Sequence, residues 1–181
     1  MKHSGLKVVA LALFIALTGC ATINVAPPDK ISGPLPYHPT ASRPQGGGGE
    51  DGTNPALRFM CDQVGPTGPN DFRVRHMDFW SRSPNPEEWV QYNFERAMKV
   101  SSVSVYWWDD RDNRGGCRVP DSWRLMYKDG DAWKPVQNLE PYGCERNQYN
   151  TVKFKPVATK ALRIEIKQGT NASGVSEWKV E

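Results

Sequence analysis

Asp109, Asp110 and Arg118 lie in and around a polar stretch that begins directly after Trp107-Trp108, and a further tryptophan, Trp80, lies upstream. An indole beside carboxylates and a guanidinium is equipment for holding a hydroxyl-rich ring. The apolar C–H face of such a ring stacks on the aromatic plane, and its hydroxyls bond to charged partners. Tyr142 is a third aromatic of this kind. Strand parity sends Trp108 to the face opposite Val103, Val105 and Trp107, at the point where the chain enters the loop Asp109 to Gly116. Trp80 and Trp108 fit either a sugar platform or a core position. Trp89, Trp107, Trp123 and Trp133 read as core.

Catalytic chemistry finds little support. His76 is the only histidine between residues 56 and 181, and no serine or cysteine near it forms a nucleophile motif. Asp109 and Asp110 are adjacent, so on extended chain they point apart, which is poor geometry for a carboxylate pair flanking one glycosidic bond. Read as a calcium loop from Asp110, the acidic run places Arg114 at the fifth position and Asp121 at the last, and the match fails. The cysteines lack Cys-x-x-Cys spacing, which argues against zinc.

These residues belong to a chain with a strong N-terminal signature. Lys2 and Lys7 precede an apolar run, Val8 to Leu17, of signal-peptide length and too short to cross a bilayer. It ends in Leu17-Thr18-Gly19-Cys20, which resembles the lipobox of bacterial lipoproteins. The resemblance implies removal of residues 1–19 and lipidation of Cys20, which anchors an exported protein to the cell envelope. Ala21 at the next position, where aspartate would retain the protein at the inner membrane, resembles lipoproteins bound for an outer membrane. Loss of Lys2 and Lys7 reduces the 23 basic residues to 21 against 20 acidic ones, a nearly neutral balance that offers no concentrated basic face for nucleic acid. In an oxidising compartment the three remaining cysteines allow one disulfide and leave one thiol. Cys117 and Cys144, in glycine-bearing loop contexts, are the favoured pair, and Cys61 reads as a small buried hydrophobe.

Residues 20–55 read as a flexible tether. Pro27-Pro28, Pro34, Pro36, Pro39, Pro44 and Gly46 to Gly49 give it little to bury. Residues 56–181 read as one all-β domain. Val90, Tyr92 and Phe94 alternate with polar residues, as do Val103, Val105 and Trp107, then Trp123, Leu125 and Tyr127, then Val152 and Phe154, then Leu162, Ile164 and Ile166. Period two over many short runs separated by turn residues predicts an antiparallel sandwich. Lys128-Asp129-Gly130-Asp131 predicts a hairpin turn.

Several of these stretches together resemble discoidin-type, galactose-binding-like domains, the F5/8 type C-like group. Glu88-Trp89-Val90-Gln91-Tyr92-Asn93-Phe94 is similar to an early strand of that family. Ser122 to Trp133 is similar to its strand and S-x-D-G-x-x-W hairpin, Leu162 to Ile166 to a late strand, and Val175 to Val180 to the closing strand. Gly116-Cys117-Arg118-Val119-Pro120-Asp121-Ser122-Trp123 resembles a segment of such modules attached to bacterial arabinofuranosidase-like glycosidases. Family members carry Asp-Gly where this chain has Asp62-Gln63.

The resemblance implies a jelly-roll β-sandwich of eight or so strands, non-catalytic binding of a polysaccharide or oligosaccharide by loops at one end, and a structural Ca²⁺ held by Asp62 and Glu177. On this reading Trp80 and Trp108 stack on the sugar, and Asp109, Asp110 and Arg118 bond its hydroxyls. The alternative is a structural or protein-interaction envelope lipoprotein that uses the same sandwich without a sugar site.

Overall fold

The computed structural model describes residues 37–42, 55–80 and 87–181. The signal segment, Cys20 and most of the expected tether lie outside these residues. Strand β1 (His38–Ala41) comes first, then a short helix α1 (Pro55–Phe59) and β2 (Met77–Phe79). The long β3 (Glu87–Trp108), the hairpin β4 (Ser122–Asp129) and β5 (Ala132–Pro135), the long β6 (Tyr149–Lys167) and β7 (Ser173–Val180) follow.

Two strands organise the molecule. The alternating runs around Tyr92 and Val105, expected as separate strands, are one strand, β3; those around Phe154 and Ile164 are likewise one, β6. The stretch Glu95 to Lys99 holds no glycine or proline, so nothing ends β3 there. Its register against β6 shifts between Asn93 and Met98 and again between Val100 and Ser102. At the second shift β6 carries the extra residues, among them Pro156, which suits an irregularity where no ladder donor is needed.

These breaks divide both strands between two layers. In the first layer β1 and the β6 segment 161–167 flank β3 residues 87–93, and β4 and β5 extend the sheet beyond β6. In the second, β7 and the β6 segment 149–159 flank β3 residues from Met98 onward, and β2 borders β7. All described pairings within these sheets are antiparallel. The sandwich thus has seven strands among the described residues, two of them serving both layers.

The inward faces meet in one core. Val90, Tyr92, Leu125, Leu162 and Ile164 of the first layer face Val103, Val105, Trp107, Val152, Val175 and Trp178 of the second, all essentially inaccessible to solvent. Tyr92 stacks on Trp178 at 3.8 Å, and Trp107 meets Trp123 edge-on at 5.5 Å, so aromatic pairs bridge the layers. Trp89 and Trp133, expected in the core, instead lie half-buried, each 4.2 Å from the Arg163 guanidinium. Parity requires this of Trp89, because its neighbour Val90 points inward.

The hairpin forms as expected. Its two-residue loop is Gly130-Asp131, with Gly130 at φ +60°, the glycine-first arrangement of a type II′ turn.

Residues 37–42 correct the expected tether, because they belong to the sandwich. Pro39 and Ala41 are buried, and Tyr37 stacks on Tyr92 at 4.7 Å and meets Phe94 edge-on at 5.6 Å. Asn93 Nδ2 donates to His38 O, and the Ser42 N–H donates to Trp89 O. The proline content around this strand masks its alternation, and proline is tolerated on an edge strand. Deleting the chain through Ser42 removes four strand pairs and an aromatic stack, and we expect a loss of roughly 2–4 kcal/mol in urea unfolding. An unchanged midpoint would show that β1 adds nothing.

The expected Cys117–Cys144 disulfide is also corrected: Cys61, Cys117 and Cys144 are free thiols. Cys117 packs in a small cluster with Trp108 and Ala172, whereas Cys144 packs against the main core. Burial pushes the Cys61 and Cys117 thiols up to about 12.

Candidate functional site

The ends of β2, β3 and β6 and the starts of β4 and β7 lie at one end of the sandwich, so three connections meet there. Gln168 Nε2 donates to Phe79 O at 2.7 Å, the Arg118 N–H to Ala172 O at 2.8 Å, and the Asp121 N–H to Lys167 O at 3.0 Å. These bonds tie the end of β2, the β3–β4 loop and the β6–β7 loop together.

Trp80 follows β2 directly at this end. It is 54% exposed, the one tryptophan among the described residues with most of its surface open. Its Nε1–H donates to Asp78 Oδ2 at 2.6 Å. Its ring rests against Gly116, where an added Cβ would come within 2.4 Å of Trp80 Cη2. Glycine at 116 therefore lets the indole lie on the loop, and the bond to Asp78 fixes the orientation of its plane.

Polar side chains gather around this platform. Asp110 Oδ1 accepts from the Cys117 N–H at 2.8 Å and lies 3.8 Å from Arg118 Nη1. Arg118 Nη1 also donates to Gly115 O and Cys117 O, which leaves the guanidinium held but partly open. His76 Nε2 lies 3.9 Å from Asp78 Oδ2. Burial pushes the His76 imidazole below its ordinary 6.5, against the pull of Asp78 and Asp110, so it is neutral near pH 7. The structure places Trp80 on Gly116, in the same loop as Asp110 and Arg118, with Asp78 and His76 beside it. Period two carried the signal for Asp78, since residues 78 and 80 share a side of extended chain.

Trp108 and Asp109 correct the sequence reading. Trp108 does leave on the face opposite Trp107, but that face is covered. His76 stacks on it at 3.9 Å, Phe72 meets it edge-on at 5.5 Å, and only 8% of the residue is exposed. It forms the floor beneath His76 and offers no sugar platform. The Asp109 carboxylate is buried and occupied: it accepts from Arg111 Nε and Nη2 and from the Arg111 and Val119 N–H groups, with Arg146 3.5 Å away. Burial alone would raise its pKa, but these bonds outweigh burial and hold it below the usual range. Asp109 therefore shapes the loop from within. Tyr142 lies half-buried, edge-on to Trp123 at 4.7 Å, and its hydroxyl accepts from the Leu125 N–H.

Asp62 and Glu177 form a second acidic locus, away from Trp80. Asp62 Oδ1 accepts from the Val64 N–H at 2.9 Å, in a turn whose Gln63 has φ +63°. The non-glycine residue therefore does adopt the left-handed geometry. The Trp178 N–H donates to Met60 O at 2.6 Å, and the Tyr92 hydroxyl lies between Met60 O and Trp178 O. Glu177 is fully buried; its carboxylate draws on the Trp178 and Gln63 N–H groups, and its Oε2 makes no well-formed hydrogen bond. Burial first, then the Asp62 carboxylate, pushes Glu177 up to about 8. A buried carboxylate oxygen without a well-formed hydrogen bond, beside a second carboxylate, suits a hard cation such as Ca²⁺. No cluster of three or more His, Cys, Asp or Glu occurs among the described residues, so backbone carbonyls or water would complete the shell.

The family model described as the F5/8 type C domain matches residues 59–179. Among similar solved structures is one from the Streptococcus pneumoniae beta-galactosidase BgaA, with TM-score 0.66 and 22% identity over 84% of this chain and 95% of that one. The family 32 carbohydrate-binding module of C. perfringens NanJ, in complex with galactose, gives 0.54 and 16% over 81% and 96%. Chitosan-binding module 2 of a Paenibacillus sp. IK-5 chitosanase/glucanase, in complex with chitotriose, gives 0.51 and 12% over 81% and 96%. At these identities the likeness is one of fold.

Proposed function

This chain belongs to the F5/8 type C domain family, and from that premise we propose that it is a non-catalytic carbohydrate-binding protein, with the lipobox-like Leu17 to Cys20 supplying an envelope anchor. The observation that carries the reading is Trp80. An open indole, fixed by Asp78 and seated on Gly116, stands among Asp78, His76, Asp110 and Arg118. The indole takes the C–H face of a sugar. The carboxylates accept from its hydroxyls, and Arg118 donates to its oxygens.

With His76 neutral, two carboxylates face one guanidinium, a balance that favours neutral or amino sugars over uronic or sialic acids. Galactose and chitotriose, carried by two of the related modules, are of these kinds. Asp62 and Glu177 would hold Ca²⁺, whose contribution is to neutralise their charge and order the loop around Gln63. This position in the fold supports structure, not chemistry on a bond.

The test passes the full chain over immobilised neutral, amino and acidic polysaccharides, with Ca²⁺ and with EDTA. We expect retention on a neutral or amino glycan. A folded chain retained by none of them would overturn the reading and favour a protein partner in the envelope.

A further inference from the structure

We infer that the outer face of the first layer carries a second saccharide-binding groove, which adjoins the loop end but does not include Trp80. The groove has a volume of about 200 Å³ and crosses three strands. Register places Glu87, Lys167 and Ser122 side by side in one outward row, and Trp89, Glu165 and Arg124 in the next outward row. All of these except Trp89 line the groove. Two carboxylates thus oppose two cations across a spacing of about 4.8 Å per strand, and the lining is neutral as a whole.

Arg124 Nε donates to Glu165 Oε2 at 2.6 Å, which fixes both groups while leaving Arg124 mostly open. Among the described residues Glu87, Ser122 and Lys167 make no side-chain bond, so their hydrogen-bonding capacity faces outward. Trp89 borders Glu165 and is held by the Arg163 guanidinium at 4.2 Å, which is itself bonded to Gln91 Oε1 and stacked on Trp133. Trp89 therefore stands beside Glu165 at the edge of a groove whose outward residues alternate acceptors and donors, with Trp123 and Ile166 also in its lining.

This pattern suits adjacent hydroxyls of an uncharged sugar residue, each of which both accepts and donates. An anion would meet Glu87 and Glu165, and a simple cation would meet Arg124 and Lys167. Isolated surface ion pairs add little to stability, so the pairing of Arg124 and Glu165 gives the fold little by itself. Two sites on one rigid sandwich would add avidity toward a polymer.

The test is a ¹H–¹⁵N titration of the full chain with galactose, N-acetylgalactosamine, chitotriose and cellotriose in turn. The expected result is a saturable shift of the amides of Ser122 to Leu125 and Glu165 to Lys167 with at least one of these sugars. Arg124→Ala with Lys167→Ala should weaken that response at least tenfold and leave any shifts at Gly115 to Arg118 intact. Lys167→Ala alone, which breaks no bond among the described residues, serves if the double variant loses its fold. No response on β4 and β6 with any of the four sugars, or a response unchanged in the variants, overturns the inference. Loss of the loop response alone counts against the Trp80 site and leaves the groove standing.

Discussion

Trp80→Ala abolishes glycan retention and leaves the melting temperature where it was. The indole is the large aromatic surface that the loop end offers to a ligand, while Trp107, Trp108, Trp123 and Trp178 are buried. Truncating a central aromatic anchor typically costs 2 kcal/mol or more of binding, about 30-fold in affinity. The fold does not need this ring: it lies on the surface of Gly116, and its one described hydrogen bond is to the partly open Asp78. Trp80→Phe keeps a stacking face and loses the bond to Asp78, so it should fall between wild type and Trp80→Ala. Calorimetry with the retained glycan and a thermal melt together check this. Wild-type affinity in a folded Trp80→Ala chain would remove the proposed platform.

The second large effect concerns Glu177 and is read as stability against pH. Folded, the carboxyl holds its proton up to about 8; unfolded, it releases it near the ordinary 4.5. Between these values the folded state binds more protons than the unfolded state, so stability falls as pH rises through that window and is level on either side. Because Glu177 is fully buried, the fall in EDTA should amount to a few kcal/mol, on the order of ten degrees in Tm. Ca²⁺ held there would compete with the proton, so its stabilisation should grow with pH and cancel the decline. Glu177→Gln should show neither the slope nor the calcium response. The check is a series of melts from pH 5 to pH 8 with EDTA or Ca²⁺. A level series in EDTA with no calcium effect would contradict both the buried acid and its cation.

Much of the fold was legible because one inward face repeats every second residue. Val90, Tyr92, Val103, Val105, Val152 and Ile164 all point inward as the alternation requires. The joining of these runs into two bent strands was not legible, because continuity depends on what is missing between them, here any strong breaker from Glu95 to Lys99. Strand β1 is not legible because its proline and those around it resemble a linker until the edge of β3 supplies a partner. The site was half legible. Residue types marked Trp80, Asp110 and Arg118, but exposure depends on neighbours far along the chain, and only the fold reveals that His76 covers Trp108 or that Arg111 and Arg146 claim Asp109. The disulfide failed for a related reason, since glycine-bearing loops say nothing about which cluster each thiol joins.

The measurement closest to the central claim is tryptophan fluorescence with acrylamide quenching during a titration with the retained sugar. Trp80 is the tryptophan most open to quencher, so the account predicts a saturable fall in quenching and a blue shift, both largely lost in Trp80→Phe while weaker binding persists in the calorimeter. Sugar binding by calorimetry with quenching unchanged would place the ligand away from Trp80 and contradict the account.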